Sequence, residues 1–233
     1  MSDVVGSVEQ VVVWPVKSMG GGLSPAEVPA DVRGLAGDRA WALVDRRPLR
    51  DGNVLSARNV PGILRWSVES LDGEQPVLAA PDGRSWHWSD PRLPAELTAD
   101  LGVPVDVTAP GGYADLADSV LVTTVATHAA VELGLGQPVD RRRWRTNLHL
   151  DLSAPAFAEA AWEGRTLVVG DVVFRLLHPC KRCAIPSWSP DGHERSRELL
   201  TYFHGDGGRR TFGINARVAD PGAVRVGDEV VLR

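Results

Sequence analysis

Gly170-Asp171-Val172-Val173-Phe174-Arg175-Leu176-Leu177 runs directly into His178-Pro179-Cys180-Lys181-Arg182-Cys183. Val172, Phe174 and Leu176 recur at every second position, the period of a strand with one buried face. The chain has only two cysteines, and both fall where this strand ends, flanking two cations that favour a thiolate. A strand end suits chemistry, because the sheet fixes position while the loop beyond stays open.

Four readings of the pair compete. A thioredoxin-like Cys-x-x-Cys opens a helix in a βαβ unit, and Pro186 and Pro190 oppose a helix here. A structural zinc site drawing on His178, His193 or His204 finds no complete ligand spacing. A disulfide would close a very small loop, and nothing in the sequence points to secretion. The fourth is a single thiolate, acting as nucleophile or as one ligand to a soft metal, with its neighbours gripping an anionic cofactor. Composition alone does not choose among them.

Working outward, the 233-residue chain carries a net charge of -5, which argues against a nucleic-acid footprint. No apolar run reaches the length of a membrane span. Met1 to Gly6 lacks the basic and apolar regions of a signal peptide, so a cytoplasmic location is expected. Strand patterns cover Val8–Val13, Arg39–Val44, Val54–Ala57, Leu64–Ser70 and Ser85–Ser89, with turns at Asp51-Gly52-Asn53 and Asp82-Gly83. Helical patterns are fewer: Pro94–Leu101, Thr123–Leu133 and Arg195–Phe203. The expected fold is mainly β with peripheral helices (α+β), its sheet closed or nearly so. Pro104 to Gly112 marks a change of region. Trp86 and Trp88 read as core packing, and Arg141-Arg142-Arg143 as a solvated charge run.

A series of motifs along the chain resembles one family. Trp162-Glu163-Gly164-Arg165, Leu167-Val168-Val169-Gly170-Asp171 and Pro179-Cys180-Lys181-Arg182-Cys183 are similar to the core of the MOSC family. That family is named after the C-terminal domain of molybdenum-cofactor sulfurase. Phe212-Gly213-Ile214-Asn215-Ala216 and Val224-Arg225-Val226-Gly227-Asp228-Glu229-Val230 resemble its close. Trp14-Pro15-Val16-Lys17-Ser18 and Gly37-Asp38-Arg39-Ala40-Trp41-Ala42-Leu43-Val44 resemble the barrel region preceding it, in the branch that includes the mitochondrial amidoxime-reducing component. The resemblance implies a MOSC β-barrel over residues 109–233. A smaller N-terminal β-barrel-like region would occupy 1–108, its first strand able to pack on the MOSC barrel.

The same resemblance implies a bound molybdenum cofactor (Mo-molybdopterin), and at family level an association with pyridoxal phosphate. Matched to the family motif, Lys17, Ser18, Arg39, Ser119, Arg145, Asn147, Lys181 and Arg182 are expected to bind the cofactor. Cys183 is expected to be both metal ligand and catalytic residue, with Cys180 a spectator. Lys17 and Ser18 offer a charge and a hydroxyl suited to phosphate. Arg145 and Asn147 share a face if their segment is extended.

The implied reaction is removal of oxygen from a small N-hydroxylated or N-oxide substrate, with the cofactor carrying the redox chemistry. Electrons would come from a separate donor such as a ferredoxin or flavoprotein reductase, since the chain shows no nicotinamide or iron–sulfur fingerprint. Two alternatives stand beside it: a sulfur-transfer or sulfur-carrier protein using a Cys183 persulfide, and a non-catalytic cofactor-binding module. One segment departs from the family, in which Thr-Thr, an apolar residue and Asp commonly follow the cysteine. Here Pro186-Ser187-Trp188-Ser189 takes their place, and Trp188 is bulky enough to line a substrate pocket.

Overall fold

Seven strands, the cysteine-bearing one among them, close into a barrel. In the computed structural model, which describes residues 4–108, 120–192, 194–205 and 207–233, the chain starts with β1 (Val4–Val11), β2 (Glu27–Asp31), β3 (Gly34–Leu35) and β4 (Leu43–Asp45). There follow β5 (Ser67–Asp72), β6 (Gln75–Ala79), β7 (Ser85–His87), α1 (Leu93–Leu101) and β8 (Val105–Val107). The second half holds β9 (Val120–Thr124), α2 (Val125–Leu135), β10 (Leu148–Leu152), β11 (Thr166–Val169) and β12 (Val172–Lys181). It ends with α3 (Arg197–His204), β13 (Thr211–Asp220), β14 (Gly222–Arg225) and β15 (Glu229–Leu232).

The barrel order is β1-β10-β9-β13-β12-β11-β15, closed by β1 pairing with both β10 and β15. The first strand thus lies a whole chain away in sequence from its neighbour β15. Within the barrel, β9 and β10 pair parallel; α2 provides the crossover such a pair requires. Alternation fills the interior: Val172, Phe174 and Leu176 of β12 meet Leu148, Leu150, Ile214, Ala216 and Leu232 in one core.

A second core collects Trp41, Leu43, Leu55, Ile63, Trp66, Leu78, Trp86, Trp88 and Leu97 under the small sheets β5-β6-β7 and β4-β8. Trp86 and Trp88 are buried there, as their alternation predicts. A third cluster under α2 and α3 stacks Trp144 on Phe212 at 4.2 Å, with Phe203 edge-on. Both of those helices start on hydroxyl caps: Thr124 accepts from Thr127 N–H at 3.1 Å, and Ser196 from Leu199 N–H at 3.1 Å.

Several predicted strands are shorter or absent. Arg39 has φ 49°, so β4 starts only at Leu43. Val54–Ala57 makes a single bridge, from Val54 to Val44, before folding back on Ser56. Leu64 and Arg65 end a 3-10 helix that opens at Pro61, where the fixed proline φ favours a helical start. β1 begins four residues earlier than its valine run and ends at Val11.

Candidate functional site

Lys17 and Ser18 stand on a tight turn just past β1. Met19 N–H bonds Val16 O at 3.3 Å, and Ser18, third in that turn, has φ 69°. Glycine or asparagine is usual at such a position. Four non-glycine residues among those described are left-handed, and three of them (Ser18, Arg39 and Arg145) line one cleft. Backbone held in this region costs about 1–3 kcal/mol per residue and concentrates at functional sites.

That cleft has a volume of about 670 Å³ and opens where the barrel meets the second core. It brings together Lys17, Ser18, Arg39, Arg145, Asn147, Lys181, Arg182 and Cys183, eight of the nine residues the sequence singles out. The ninth, Ser119, lies outside the described residues. Arg58 and Arg143 also line it, which makes seven cationic side chains and, among the described residues, no carboxylate. In a chain with a net charge of -5, this concentrates positive charge in one concavity.

The deep cations are braced by one network. Arg39 donates to Asp38, to Asn147 Oδ1 at 3.2 Å and to Arg145 O at 3.2 Å. Burial pushes the Asp38 carboxyl above its usual range, opposed by the Arg39 charge and by Trp14 N–H. Arg145 donates to Met19 O and to Val16 O at 3.4 Å, so it holds both ends of the turn that carries Lys17 and Ser18. Its guanidinium also lies 4.4 Å from the Trp14 ring.

Asn147 is fully buried. Its Oδ1 accepts from Leu121 N–H at 3.0 Å and from Arg39, while its Nδ2 donates to Val12 O at 3.1 Å. The amide therefore ties β1, β9 and the approach to β10 behind the cleft. Arg145 and Asn147 meet through this network rather than on a strand face. The extended reading of Trp144–Asn147 fails because a 3-10 turn over Arg141–Trp144, capped by the Asp140 carboxylate, ends in left-handed Arg145.

Cys180 sits where the register of β12 against β13 turns irregular, between Leu176 and Lys181, and Cys183 lies two residues past the end of β12. Both thiols are partly exposed, free, and line the cleft. Arg182 leans toward Cys180, not Cys183: Nη1 lies 3.2 Å from Cys180 Sγ, and Nη2 donates to Trp144 O at 3.0 Å. Its buried Nε has no hydrogen-bond partner among the described residues. Such an orphan is uncommon in a folded chain and fits a bound acceptor in the cleft. No three His, Cys, Asp or Glu side chains gather as a metal cage among the described residues.

Two expectations are corrected. Arg141-Arg142-Arg143 is only partly a solvated run: Arg141 pairs with Glu9, and Arg142 with Asp140 and Asp191. Arg143 is half-buried in the cleft wall, its Nη1 donating to the carbonyls of Pro186, Ser187 and Trp188. Burial lowers its affinity for a proton, with Asp140 opposing. Trp188 does not line the cleft; it packs on the second core under Arg195, 5.5 Å from its ring. Asn215 was quoted within a motif yet given no role, and it reaches the cleft beside His178 at 3.3 Å. Arg58 and Asn59 sit in no motif, so pattern reading gives no sign of them.

Comparison with known proteins gives the family. A family model described as the MOSC domain matches residues 113–231, and one described as the MOSC N-terminal beta barrel domain matches residues 5–98. The chain belongs to the MOSC domain family. It is 25% identical to human mitochondrial amidoxime-reducing component 1, over 98% of this chain and 83% of that protein. Among solved structures, the YuaD protein from Bacillus subtilis covers 99% of this chain and 97% of its own, with a TM-score of 0.52 at 12% identity. That likeness concerns the fold, a MOSC-type barrel. No helix among the described residues is long and apolar enough to cross a membrane.

Proposed function

We propose that this MOSC protein is a molybdenum-cofactor-dependent oxidoreductase that reduces small N-hydroxylated or N-oxide compounds. The observation that carries the reading is the cleft itself: among the described residues, seven cations, no acidic lining residue, an orphaned guanidinium nitrogen and two free thiols around one volume. Molybdopterin presents a phosphate, polar pterin edges and a dithiolene, and this donor set fits those groups. Lys17, Ser18, Lys181 and Arg182 would hold the anionic and polar edges, with Arg39, Arg145 and Asn147 bracing them from behind. Cys183 would supply the protein's thiolate to the metal, the soft ligand such a centre takes.

When bound, the cofactor supplies the two-electron chemistry that breaks an N–O bond. The chain's own residues do the rest. The left-handed turns at Ser18, Arg39 and Arg145 present donors from a rigid frame, which lowers the reorganisation needed to bind an anion. Lys17, Lys181 and Arg182 orient the cofactor by charge, and the barrel wall of Leu121 and Trp144 limits water on that side. The similarity to a protein named for amidoxime reduction supports the substrate class, and a separate electron donor and a small-molecule substrate follow from the same reading.

The test is turnover of an aryl N-hydroxyamidine to its amidine by cofactor-loaded protein, with a chemically reduced dye as electron source. Two electron equivalents of dye oxidised per amidine formed are expected, and the loss of that turnover in Cys183→Ala. Loaded protein that leaves N-hydroxylated and N-oxide compounds unchanged would mark a binding module instead. Metal-free protein carrying labile sulfane sulfur on Cys183 would mark a sulfur carrier.

A further inference from the structure

One charged residue of the cleft is not absorbed by the proposed cofactor site. Arg58 lines the same volume as the cysteines, yet it is exposed, and its side chain has no partner among the described residues. Lys181 is exposed too, but it stands beside the cysteines, whereas three other cations are committed elsewhere. Arg39 is 12% exposed and ion-paired to Asp38, Arg145 braces the Lys17–Ser18 turn, and Arg143 is spent on three carbonyls.

Arg58 is also presented on a stiff platform. Its backbone N–H bonds Ser56 Oγ at 3.2 Å, while Asn59 and Val60 N–H groups bond Ser56 O at 2.9 and 3.0 Å. Leu55, Ala57 and Val60 anchor the segment in the second core, and Ser56, Arg58 and Asn59 face the cleft. Apolar residues grip the body while polar ones are offered outward. The depth order then matters: buried donors serve what sits deep, and Arg58 is met by what enters last.

We infer that Arg58, with Asn59 beside it, recognises a carboxylate on the substrate, remote from the N–O group. Resting on the proposed function, this narrows the substrate class to N-hydroxylated compounds that carry an acid group. A planar guanidinium matches a carboxylate in two-point geometry, and Asn59 adds a neutral donor. An exposed pair is worth little alone, but a concavity rich in positive charge, with no carboxylate among its described lining residues, strengthens it.

The experiment uses cofactor-loaded protein and two matched sets of probes. Binding of an arylamide with and without a para carboxylate is measured by calorimetry, which requires no turnover. The ratio of kcat/KM for the corresponding N-hydroxyamidines is measured with a reduced dye. The carboxylated member of each pair should be preferred by roughly tenfold, the gain of one partly screened charge-assisted pair, with the margin shrinking as salt rises. Arg58→Ala should remove most of the preference, Arg58→Lys part of it, and Arg58→Glu should reverse it, all at unchanged cofactor content. Equal binding of both amides by the wild type overturns the inference, as does a preference that survives Arg58→Glu and vanishes in Lys181→Ala. If the binding preference holds while neither N-hydroxyamidine is reduced, the carboxylate site stands and the proposed reaction falls.

Discussion

Replacing Asn147 by Ala removes three hydrogen bonds at a residue with no solvent exposure. Leu121 N–H and Val12 C=O then lie buried without their partner, and Arg39 loses one of its contacts. An orphaned buried polar group costs about 1–3 kcal/mol, so the two backbone groups and the loosened arginine together should cost roughly 3–5 kcal/mol. A typical domain is stable by about 5–15 kcal/mol, so the urea midpoint should fall by a large fraction. Asn147→Asp keeps both acceptor roles but sets a buried carboxylate against Val12 C=O and beside Asp38, and should lose at least as much. Unfolding is followed in urea on protein prepared without cofactor, so that ligand binding adds nothing to stability. Lys181→Ala, at an exposed position, serves as the contrast and should stay within about 0.5 kcal/mol of wild type. An Asn147→Ala protein as stable as that control would refute the idea that this amide is a structural bracket and return it to cofactor contact alone.

Ser18→Gly should relieve the left-handed backbone and stabilise the cofactor-free protein by about 0.5–1 kcal/mol, while removing a hydroxyl from the cleft and lowering the bound cofactor fraction; thermal melts and molybdenum content report the two effects. Cys183→Ala should abolish turnover and Cys180→Ala should reduce it only modestly through the Arg182 contact, whereas equal losses in steady-state assays would indicate a dithiol mechanism. Burial, then the charges of Arg141 and His128, lower the His149 pKa from 6.5 to about 3. Unfolded, that imidazole takes its proton near 6.5; folded, it stays neutral until about 3. Stability should therefore be lost as pH falls through this window, by up to about 1.4 kcal/mol per unit from this group, and His149→Gln should flatten the slope in urea titrations at pH 6.5 to 4.

Much of the site was legible because it sits on short motifs whose spacing survives folding. The strand before the cysteines alternates cleanly, so the thiols' place at its end follows from period alone. The helices were found to within two or three residues, since Thr124 and Ser196 are ordinary caps. What escaped was non-local. Arg39 and Arg145 look like strand residues until a buried network with Asp38 and Asn147 bends both into left-handed turns. Arg143 reads as surface charge because the carbonyls it captures lie more than forty residues downstream. Arg58 reaches the cleft only because Leu55 and Val60 fold its segment onto the second core. β1 pairs with β15 across the whole length of the chain, a partnership that no local pattern contains.

The proposed chemistry requires a molybdenum–pterin group seated among these cations with Cys183 at its metal. The most direct measurement is elemental analysis together with fluorescent-pterin analysis of protein purified from a host that makes the cofactor, for wild type and for Cys183→Ala. Equimolar molybdenum and pterin in the wild type, with molybdenum depleted in the variant, is the predicted result. Wild-type protein free of both, or equal molybdenum in the two proteins, would contradict it.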